Sequence, residues 1–448
     1  MFLVLAATAF VLQPNGAQAA SRLALTAAVA EQGTVVIDDY EETLGADRAV
    51  RDGHVYSDKA PGQPIAGVPL WWLYRAVGGE EGTELRVDGN LGLWWQTLWF
   101  SAFPAAVLVV LLFRSGRAQA GSSNRTAALS AVALFGGSIL LPFTTELFGH
   151  VLAACLGFGS FVVLRGRNGE SSGLVVAGIL AGGAVLVEYT TVMVVAVLTV
   201  AAMILNGRDS WKFLAGGAIP AVALATYHSI AFGGPLEHAY KYSVFEFHQN
   251  SVGGIGVPDA GTLAAVLVGP RGLFTLTPVV AVSLAGLIAA RRRLQKVDFL
   301  VPAAILAVYL LFASGWLDAT GGASPGPRHL IPALPFLIFG MNEALTRWRT
   351  LSVAVSAVSV SGMVLATVGD PLLPSDVEPA IAEWWTRIAA GDGARTVFEP
   401  VLGHGGWIVV MLLTAAAILH LWKMVGDQPS STSRASDSFT PDETPVRP

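Results

Sequence analysis

The feature that most constrains this chain is a series of apolar runs that recurs along almost the whole sequence. A helix of about 20 apolar residues crosses the hydrocarbon core of a bilayer. Runs near this length lie at about 1–13, 91–113, 127–143, 146–164, 172–188, 190–206, 213–232, 273–290, 298–315, 329–345, 351–368 and 407–423. Hydrophobic residues make up 53% of the 448 residues and charged residues only 13%, which is more apolar than a soluble fold can bury. The sequence therefore predicts an all-α, polytopic membrane protein of about twelve transmembrane helices.

Charge and cysteine content exclude several classes of function. The formal net charge of -5 excludes a globally basic nucleic-acid binder. The single cysteine, Cys155, lies inside an apolar run, so neither a disulfide framework nor a cysteine metal cluster is available. We expect Cys155 to be a small buried side chain.

The distribution of Lys and Arg predicts the orientation of the chain. Alternate connections between the runs are basic and contain few acids. These connections carry Arg114, Arg117 and Arg125; Arg165 and Arg167; Arg208 and Lys212; Arg291, Arg292, Arg293 and Lys296; and Arg347 and Arg349, while Lys423 follows the last run. Cytoplasmic loops are enriched in basic residues, so these connections are predicted to be cytoplasmic and the others to face outside.

The segment 14–90 is then wholly extracytoplasmic, which decides how Pro64–Val77 is interpreted. This stretch is apolar enough to resemble a membrane span, but counting it as one would reverse the predicted side of every later loop. We expect it to lie in the outer interface, anchored by Trp71, Trp72 and Tyr74.

The remaining organisation follows from the same pattern. Residues 1–423 form one transmembrane domain, with further outer loops at 233–272 and 369–405. The stretch 424–448 is rich in Ser, Thr, Pro and Asp and is predicted to be a disordered cytoplasmic tail.

The first run has two interpretations. Met1–Leu12 followed by Ala17-Gln18-Ala19 is similar to a signal peptide with a small-residue cleavage site. However, no basic residue precedes the apolar run. A first helix that begins on the cytoplasmic side also agrees with the sides predicted for the loops between the other eleven spans. We therefore expect an uncleaved first span.

Ionisable residues are concentrated at the outer ends of the runs and in the outer loops, which predicts a site at the outer membrane boundary. In the first outer segment, Asp38 and Asp39 are adjacent carboxylates that could act as a general base or hold a divalent metal ion. A solvated acidic loop is the structural alternative. Further along, His54 and Tyr56 precede Lys59, whose ammonium group could neutralise a phosphate.

Later outer loops contribute a second group of candidates. Glu146 falls in a short connection with His150 one helical turn further on, although a helix N-terminus also favours a carboxylate for structural reasons. Arg271 and Arg328 each stand at the start of an apolar run, where a guanidinium and free N–H groups can hold a phosphate; His329 follows Arg328. Snorkelling of such arginines to lipid headgroups is the alternative.

Two other features of the sequence are interpreted as structural. Glu188-Tyr189 marks another junction at the outer end of a helix. His228, His238 and His248 lack the spacing of metal ligands.

Taken together, these loop motifs resemble the GT-C superfamily of polytopic membrane glycosyltransferases. The likeness is to the bacterial branch near protein O-mannosyltransferases and lipid A aminoarabinose transferases. The run from Ser21-Arg22 to Gln32-Gly33, followed by Tyr56-x-x-Lys59-x-Pro61, is similar to that family's first outer loop. Arg-Gly-Leu-Phe at 271–274 and Gly-Pro-Arg-His-Leu at 326–330 resemble motifs of its relatives. The resemblance covers roughly residues 1–345.

The resemblance implies an enzyme of the plasma (inner) membrane that transfers a sugar from a polyprenyl-phosphate donor to a hydroxyl or amine on the extracytoplasmic face. The acceptor would be a glycolipid, a polysaccharide or a protein. Lys59, Arg271 and Arg328 would bind the donor phosphate, and the substrate-binding residues would be His54, Tyr56, His150 and His329. The resemblance specifies no cofactor with certainty and leaves a divalent metal ion open.

One departure from the family pattern concerns the base. The position before the first amphipathic helix, where better-known members carry a catalytic acid, holds Gln18-Ala19-Ala20. Asp38, Asp39 or Glu146 would then take that role, or the acceptor is activated differently. The alternative function is a non-catalytic transporter or flippase of lipid-linked sugars. Such a protein is expected to have internal repeats, and broken helices with charged residues inside the membrane.

Overall fold

The computed structural model describes residues 1–14, 16–80, 90–166, 171–245, 248, 254–316, 318 and 320–426. Within these ranges the protein is a helical bundle with two short antiparallel strand pairs, so the predicted fold class is confirmed. The α-helices are α1 Phe2–Thr8, α2 Ala17–Ala27, α3 Gly62–Ala76, α4 Leu91–Thr97, α5 Phe103–Arg117, α6 Asn124–Gly136, α7 Gly149–Gly166, α8 Ser171–Val187, α9 Val192–Asn206, α10 Trp211–Phe232, α11 Ala260–Val268, α12 Leu273–Leu276, α13 Pro278–Ala290, α14 Lys296–Ser314, α15 Ile338–Arg347, α16 Arg349–Val368, α17 Ala380–Ala390, α18 Glu399–Leu402 and α19 Gly406–Gly426. The strands are β1 Val11–Leu12, β2 Arg48–Arg51, β3 His54–Ser57 and β4 Arg395–Thr396.

In the part of the chain that the structure describes, six helical stretches are long and apolar enough to cross a membrane. They are Leu91–Arg117, Gly149–Gly166, Tyr189–Phe232, Lys296–Ser314, Arg349–Val368 and Glu399–Met424. A seventh span results if the bent pair Ala260–Leu276 and Pro278–Ala290 is counted as one. The protein is thus a multi-pass membrane protein, and the count of twelve spans stays a prediction.

Two of the predicted spans are shortened by strand formation or by proline. The run 1–13 forms only the seven residues of α1, because the chain then turns into β1, which pairs with β4. The run 329–345 begins as the 3₁₀ helix Arg328–Leu337 and becomes α-helical only in α15. Pro332 and Pro335 explain this, since a proline has no N–H for the α-helical ladder.

Two other runs are interrupted at their middle or end. The run 127–143 is helical only to Gly136, and the next residue packs closely against α16. The run 273–290 divides into α12 and α13, and the stretch Ala260–Leu276, which contains α12, meets α13 at an angle of 96°. Thr277, with φ -128° and ψ 61°, is the non-helical residue at this bend, directly before Pro278.

The first outer segment folds around its own apolar core. Arg48–Arg51 pairs with His54–Ser57 in register, helix α2 packs against this hairpin, and helix α3 packs against α2. The largest buried side chain of this core is Trp71, whose indole N–H donates to Glu31 at 2.8 Å. The predicted interfacial stretch Pro64–Val77 is therefore helical in α3, with Trp72 half-exposed on its outer surface. The position of this helix relative to a bilayer stays a prediction.

The helices bring the predicted outer residues to one end of the bundle. Helix α7 begins beside His150 and ends at Arg165, whose guanidinium binds Asp298 at 2.7 Å near the start of α14. The segment that begins at Arg328 ends in the same way at Arg347. The candidate site and the basic connections therefore lie at opposite ends of these helices.

The predicted tail lies almost entirely outside the described residues. Met424 still belongs to α19, and residues 427–448 lie outside the part that the structure describes. Of the predicted outer segments, residues 15, 81–89, 246–247 and 249–253 lie outside it as well, and so does Arg167 of the predicted cytoplasmic loops.

Candidate active site

One cavity of about 600 Å³ lies at the end of the bundle opposite the basic connections. Its walls come from α2, the loop after β3, the start of α7, the junction between α8 and α9, and the loops that flank Arg328. The charged and imidazole residues in the walls are Arg22, Asp47, Lys59, His150, Glu188, His248, Asp318, Arg328, His329 and Asp376. Four residues predicted from the sequence, Lys59, Arg328, His150 and His329, are therefore brought together.

Lys59 is held by two carboxylates. Its Nζ lies 2.6 Å from Asp47 and 3.0 Å from Asp58, and the side chain is almost fully buried. Burial by itself lowers the pKa of Lys59, but the two carboxylates outweigh it and raise that pKa above its ordinary value. The ammonium group is thus charged and largely neutralised by its neighbours.

Arg22 and Glu188 form a buried ion pair at the base of the cavity. Arg22 Nη2 lies 3.5 Å from Glu188 Oε2, and Arg22 is 2% exposed. His150 Nδ1 lies 3.4 Å from the same carboxylate oxygen, outside hydrogen-bond geometry. A Cβ on Gly149 would come within 3.2 Å of both the Arg22 and the Glu188 side chains, so only glycine leaves room for this pair.

Arg328 is the cavity cation without a carboxylate partner among the described residues. Its Nη1 donates to the carbonyl of Ala323 at 3.0 Å, and its guanidinium lies over the Phe148 ring at 5.5 Å. The preceding turn requires glycine, because Gly321 and Gly322 have φ of +78° and +98° and pack against the side chains of His329 and Arg328. The sequence thus folds this loop so that both functional side chains face the cavity.

An aromatic wall closes the other side. Tyr240 stacks on His248 with ring centroids 4.2 Å apart, and Trp316 lies 4.7 Å from the His329 ring. Burial, with a smaller contribution from the Lys59 charge, lowers the pKa of His248 to about 4. This imidazole is therefore neutral at physiological pH.

Several buried polar atoms around the cavity have no hydrogen-bond partner among the described residues. They are Nε and Nη1 of Arg22, Nε of Arg328, and both ring nitrogens of His150 and of His329. Buried donors in native structures are almost always paired, because leaving one unpaired costs about 1–3 kcal/mol. The arginine nitrogens are donors, and each neutral imidazole adds one N–H donor, so the group is suited to an anion that carries several oxygens.

Asp38 and His54, both predicted site residues, lie on the surface away from this cavity. Asp38 accepts hydrogen bonds from His54 Nδ1 at 2.8 Å and from the Val55 amide at 2.6 Å. Burial alone would raise the pKa of Asp38, but these bonds outweigh it and lower the pKa. The adjacent Asp39 is exposed and accepts from Gln32 at 3.0 Å.

Tyr56 and Glu146 are buried but do not line the cavity. Tyr56 packs in the core of the first outer segment, 5.6 Å from the Phe232 ring. Glu146 is 2% exposed and lies with Gln13 and Thr145 around a gap too small to hold a water molecule. Its Oε1 has no hydrogen-bond partner among the described residues.

Arg271 is buried next to the cavity, and its guanidinium donates hydrogen bonds to backbone carbonyls. Nη1 donates to Ser324 at 3.2 Å and Leu373 at 2.9 Å, while Nη2 donates to Pro374 at 2.6 Å and to Val377. Its predicted role in binding phosphate stays a prediction with no support from these contacts.

The sequence patterns do not predict a functional role for four of the cavity residues, which are Arg22, Asp47, Asp318 and Tyr240. For Glu188 they favour a structural role. Glu188 carried the same signal as Glu146, a carboxylate at the outer end of an apolar run, so the sequence could have proposed both. Arg22 belongs to the motif that carried the family resemblance. Asp47 and Asp318 stand in loops without a recognisable pattern, and nothing in the sequence points to them.

The described residues contain no group of three or more His, Cys, Asp or Glu side chains that could hold a metal ion. The adjacent carboxylates Asp38 and Asp39 point to different partners, His54 and Gln32. The divalent metal ion that the sequence left open stays open.

No protein-family model matches the chain, and no curated protein sequence matches it. Solved structures do match its fold. ArnT from Cupriavidus metallidurans bound to undecaprenyl phosphate is similar with a TM-score of 0.55 and 13% identity, over 95% of this chain and 74% of that one. The apo state of the same protein gives 0.53 and 14%, over 95% and 73%. At this identity the likeness concerns the fold alone, and this chain has a GT-C-like fold, as its loop motifs predicted.

Proposed function

We propose that this GT-C-like protein is a membrane glycosyltransferase that moves a sugar from a polyprenyl-phosphate donor to an acceptor hydroxyl or amine on the extracytoplasmic face. The observation that carries the proposal is the group of buried, unpaired nitrogens of Arg22, Arg328, His150 and His329 around one cavity, in which the arginine nitrogens and one N–H of each neutral imidazole are donors. A phosphate supplies the oxygens that these donors lack.

Arg328 is the principal phosphate ligand in this proposal. Its positive charge has no carboxylate to neutralise it among the described residues, and a guanidinium binds phosphate through two parallel hydrogen bonds. Arg22 is paired with Glu188, and Lys59 is paired with Asp47. Because these carboxylates partly neutralise them, both cations attract a phosphate more weakly than Arg328 does. Cations placed at the leaving phosphate stabilise the charge that develops there in the transition state.

Glu188 is the proposed base. It is the buried carboxylate at the base of the cavity, and its Oε2 is held by Arg22 at one side with His150 nearby. The acceptor oxygen or nitrogen attacks the anomeric carbon, the bond from that carbon to the phosphate oxygen breaks, and the acceptor proton passes to the carboxylate. The phosphate leaves on the lipid as a monoester, and a direct attack inverts the anomeric configuration. Asp38, Asp39 and Glu146 are not part of this proposal, since none of them lines the cavity.

The sidedness follows from two observations taken together. The cavity lies at the helix ends opposite Arg165 and Arg347, and basic connections are typical of the cytoplasmic side. We therefore place the site on the outer face of the plasma (inner) membrane, where an acceptor arrives from water and the donor arrives from the bilayer. Undecaprenyl phosphate, which is bound in one of the similar structures, is the lipid we propose as product.

The experiment uses the full chain purified in lipid nanodiscs and a panel of radiolabelled polyprenyl-phosphate sugars. We expect release of unlabelled undecaprenyl phosphate and transfer of label to an acceptor in an envelope extract. Arg328→Gln should abolish both, while Arg395→Gln, a change of the exposed arginine of β4, should abolish neither. In sealed proteoliposomes, movement of intact labelled donor across the bilayer with no product would contradict the proposal and favour a flippase.

A further inference from the structure

Arg271 stands at the meeting point of two loops that form the outer wall of the cavity. We define the first rim loop as residues 320–327 and the second as residues 370–377. Gly321, Gly322 and Ala323 of the first rim loop line the cavity, as do Pro374, Ser375 and Asp376 of the second.

The two rim loops are joined mainly through Arg271. Its Nη1 bridges the loops by donating to Ser324 in the first and Leu373 in the second, and its Nη2 binds two more carbonyls of the second. The Ser324 amide also donates to the Leu373 carbonyl at 3.2 Å. Hydrogen bonds from a charged donor are about twice as strong as neutral ones, so one side chain supplies most of the link.

This arrangement leaves little of the guanidinium for a phosphate. Both Nη atoms already donate to carbonyls, and the side chain is 4% exposed and absent from the cavity wall. To bind a phosphate, the guanidinium would have to break its hydrogen bonds to those carbonyls. Leaving buried carbonyls without donors costs free energy.

We infer that Arg271 is a positioning residue that holds the two rim loops together as the acceptor-side wall of the cavity. The acceptor side is the water-exposed side, since Pro374, Ser375 and Asp376 are exposed whereas Arg22 and Glu188 are buried. The inference rests on the proposed transferase function, because that function defines which side receives the acceptor.

The test compares Arg271→Gln with Arg328→Gln in the detergent-solubilised full chain, using undecaprenyl phosphate as the probe. Opening of the second rim loop is followed by a protease that cleaves before aspartate, through its rate of cleavage at the exposed Asp376. We expect Arg271→Gln to raise this rate at least about tenfold, because a bridge of charged hydrogen bonds is lost. Its dissociation constant for undecaprenyl phosphate should stay within about twofold of the unchanged protein.

Arg328→Gln should give the opposite result, with lost lipid-phosphate binding and unchanged cleavage. Arg271→Lys should fall between the unchanged protein and Arg271→Gln, because an ammonium group has three donors at one point rather than a planar fork. The same lysine variant carries the measurement if Arg271→Gln is not recovered from the membrane. In the transfer assay, Arg271→Gln should raise the KM for the acceptor and leave the KM for the lipid donor unchanged.

The inference is overturned if Arg271→Gln loses undecaprenyl phosphate binding while cleavage at Asp376 is unchanged, since Arg271 would then be a phosphate ligand. It is also overturned if neither quantity changes. If the unchanged protein shows no transfer with any donor, the proposed function fails, and the cleavage and binding measurements still decide whether Arg271 holds the rim.

Discussion

Replacing Arg328 by glutamine gives the sharpest test of the phosphate site. Two charge-assisted hydrogen bonds to a phosphate contribute about 1.5–3 kcal/mol each, and a glutamine amide can keep one weaker bond. We therefore expect a net loss of about 3 kcal/mol in binding undecaprenyl phosphate, which is roughly a 150-fold increase in the dissociation constant.

The same substitution should change stability very little. No carboxylate lies within ion-pair distance of Arg328 in the described part of the chain, so its removal leaves no buried anion unpaired. The losses are one hydrogen bond from a charged donor to Ala323 and the contact with the Phe148 ring, about 2–4 kcal/mol together, and they are offset because the substitution also removes a buried charge that has no ion-pair partner among the described residues.

The assay is native mass spectrometry of the solubilised protein titrated with undecaprenyl phosphate, with thermal unfolding measured in parallel. Arg395→Gln is the matched control. A dissociation constant within threefold of the unchanged protein, in a variant that unfolds at the same temperature, would refute the assignment of Arg328.

The remaining predictions concern the other groups of the site and one surface pair. Glu188→Gln should reduce transfer at least about 100-fold and leave lipid-phosphate binding within a few-fold, because it removes the base and not the anion ligands; full activity would contradict its role. Lys59→Met should destabilise the protein by about 3–5 kcal/mol, measured by unfolding in detergent, because it leaves the buried carboxylate of Asp58 and the partly buried carboxylate of Asp47 without their cation. The folded-state pKa of His248 is about 4, below its ordinary value, so its contribution to stability is present above about pH 6.5 and is lost as the pH falls towards 4. His248→Gln should flatten this part of the stability profile, and an unchanged profile would contradict the explanation. Asp38→Asn should leave transfer unchanged, since its carboxylate binds His54 at the surface, and a loss of activity would restore it as a candidate base.

Some of this molecule follows from the sequence for simple physical reasons. Apolar length predicts helices that can cross a bilayer, and the alternation of basic loops predicts which helix ends share a side. Lys59 and Arg328 could be placed at one end of the bundle on these grounds alone. Pro332 and Pro335 could also have predicted the 3₁₀ segment, because their missing N–H groups are visible in the sequence.

The choice among equivalent residues at that end depends on tertiary structure. Arg271 and Arg328 both begin an apolar run. However, Arg271 donates to four backbone carbonyls, whereas Arg328 lines the open cavity. Glu146 and Glu188 also carry the same local signal, and the paths of two connections decide that only Glu188 lines the cavity. Such differences depend on the rotation of each helix and the course of each loop, which hydrophobic periodicity does not specify.

The pairing of β1 with β4 has a consequence for how the chain is made. Val11 and Leu12 bind Thr396 and Arg395, and Gln13 donates to Thr145 and to the carbonyl of Thr367 at 2.8 Å each. A ribosome adds about 5–20 residues per second, so the first strand waits roughly 20 to 80 s before its partner has been synthesised. During that interval its N–H and C=O groups are open to other hydrogen-bonding partners, which gives a chaperone or an insertase a long opportunity to act on this strand.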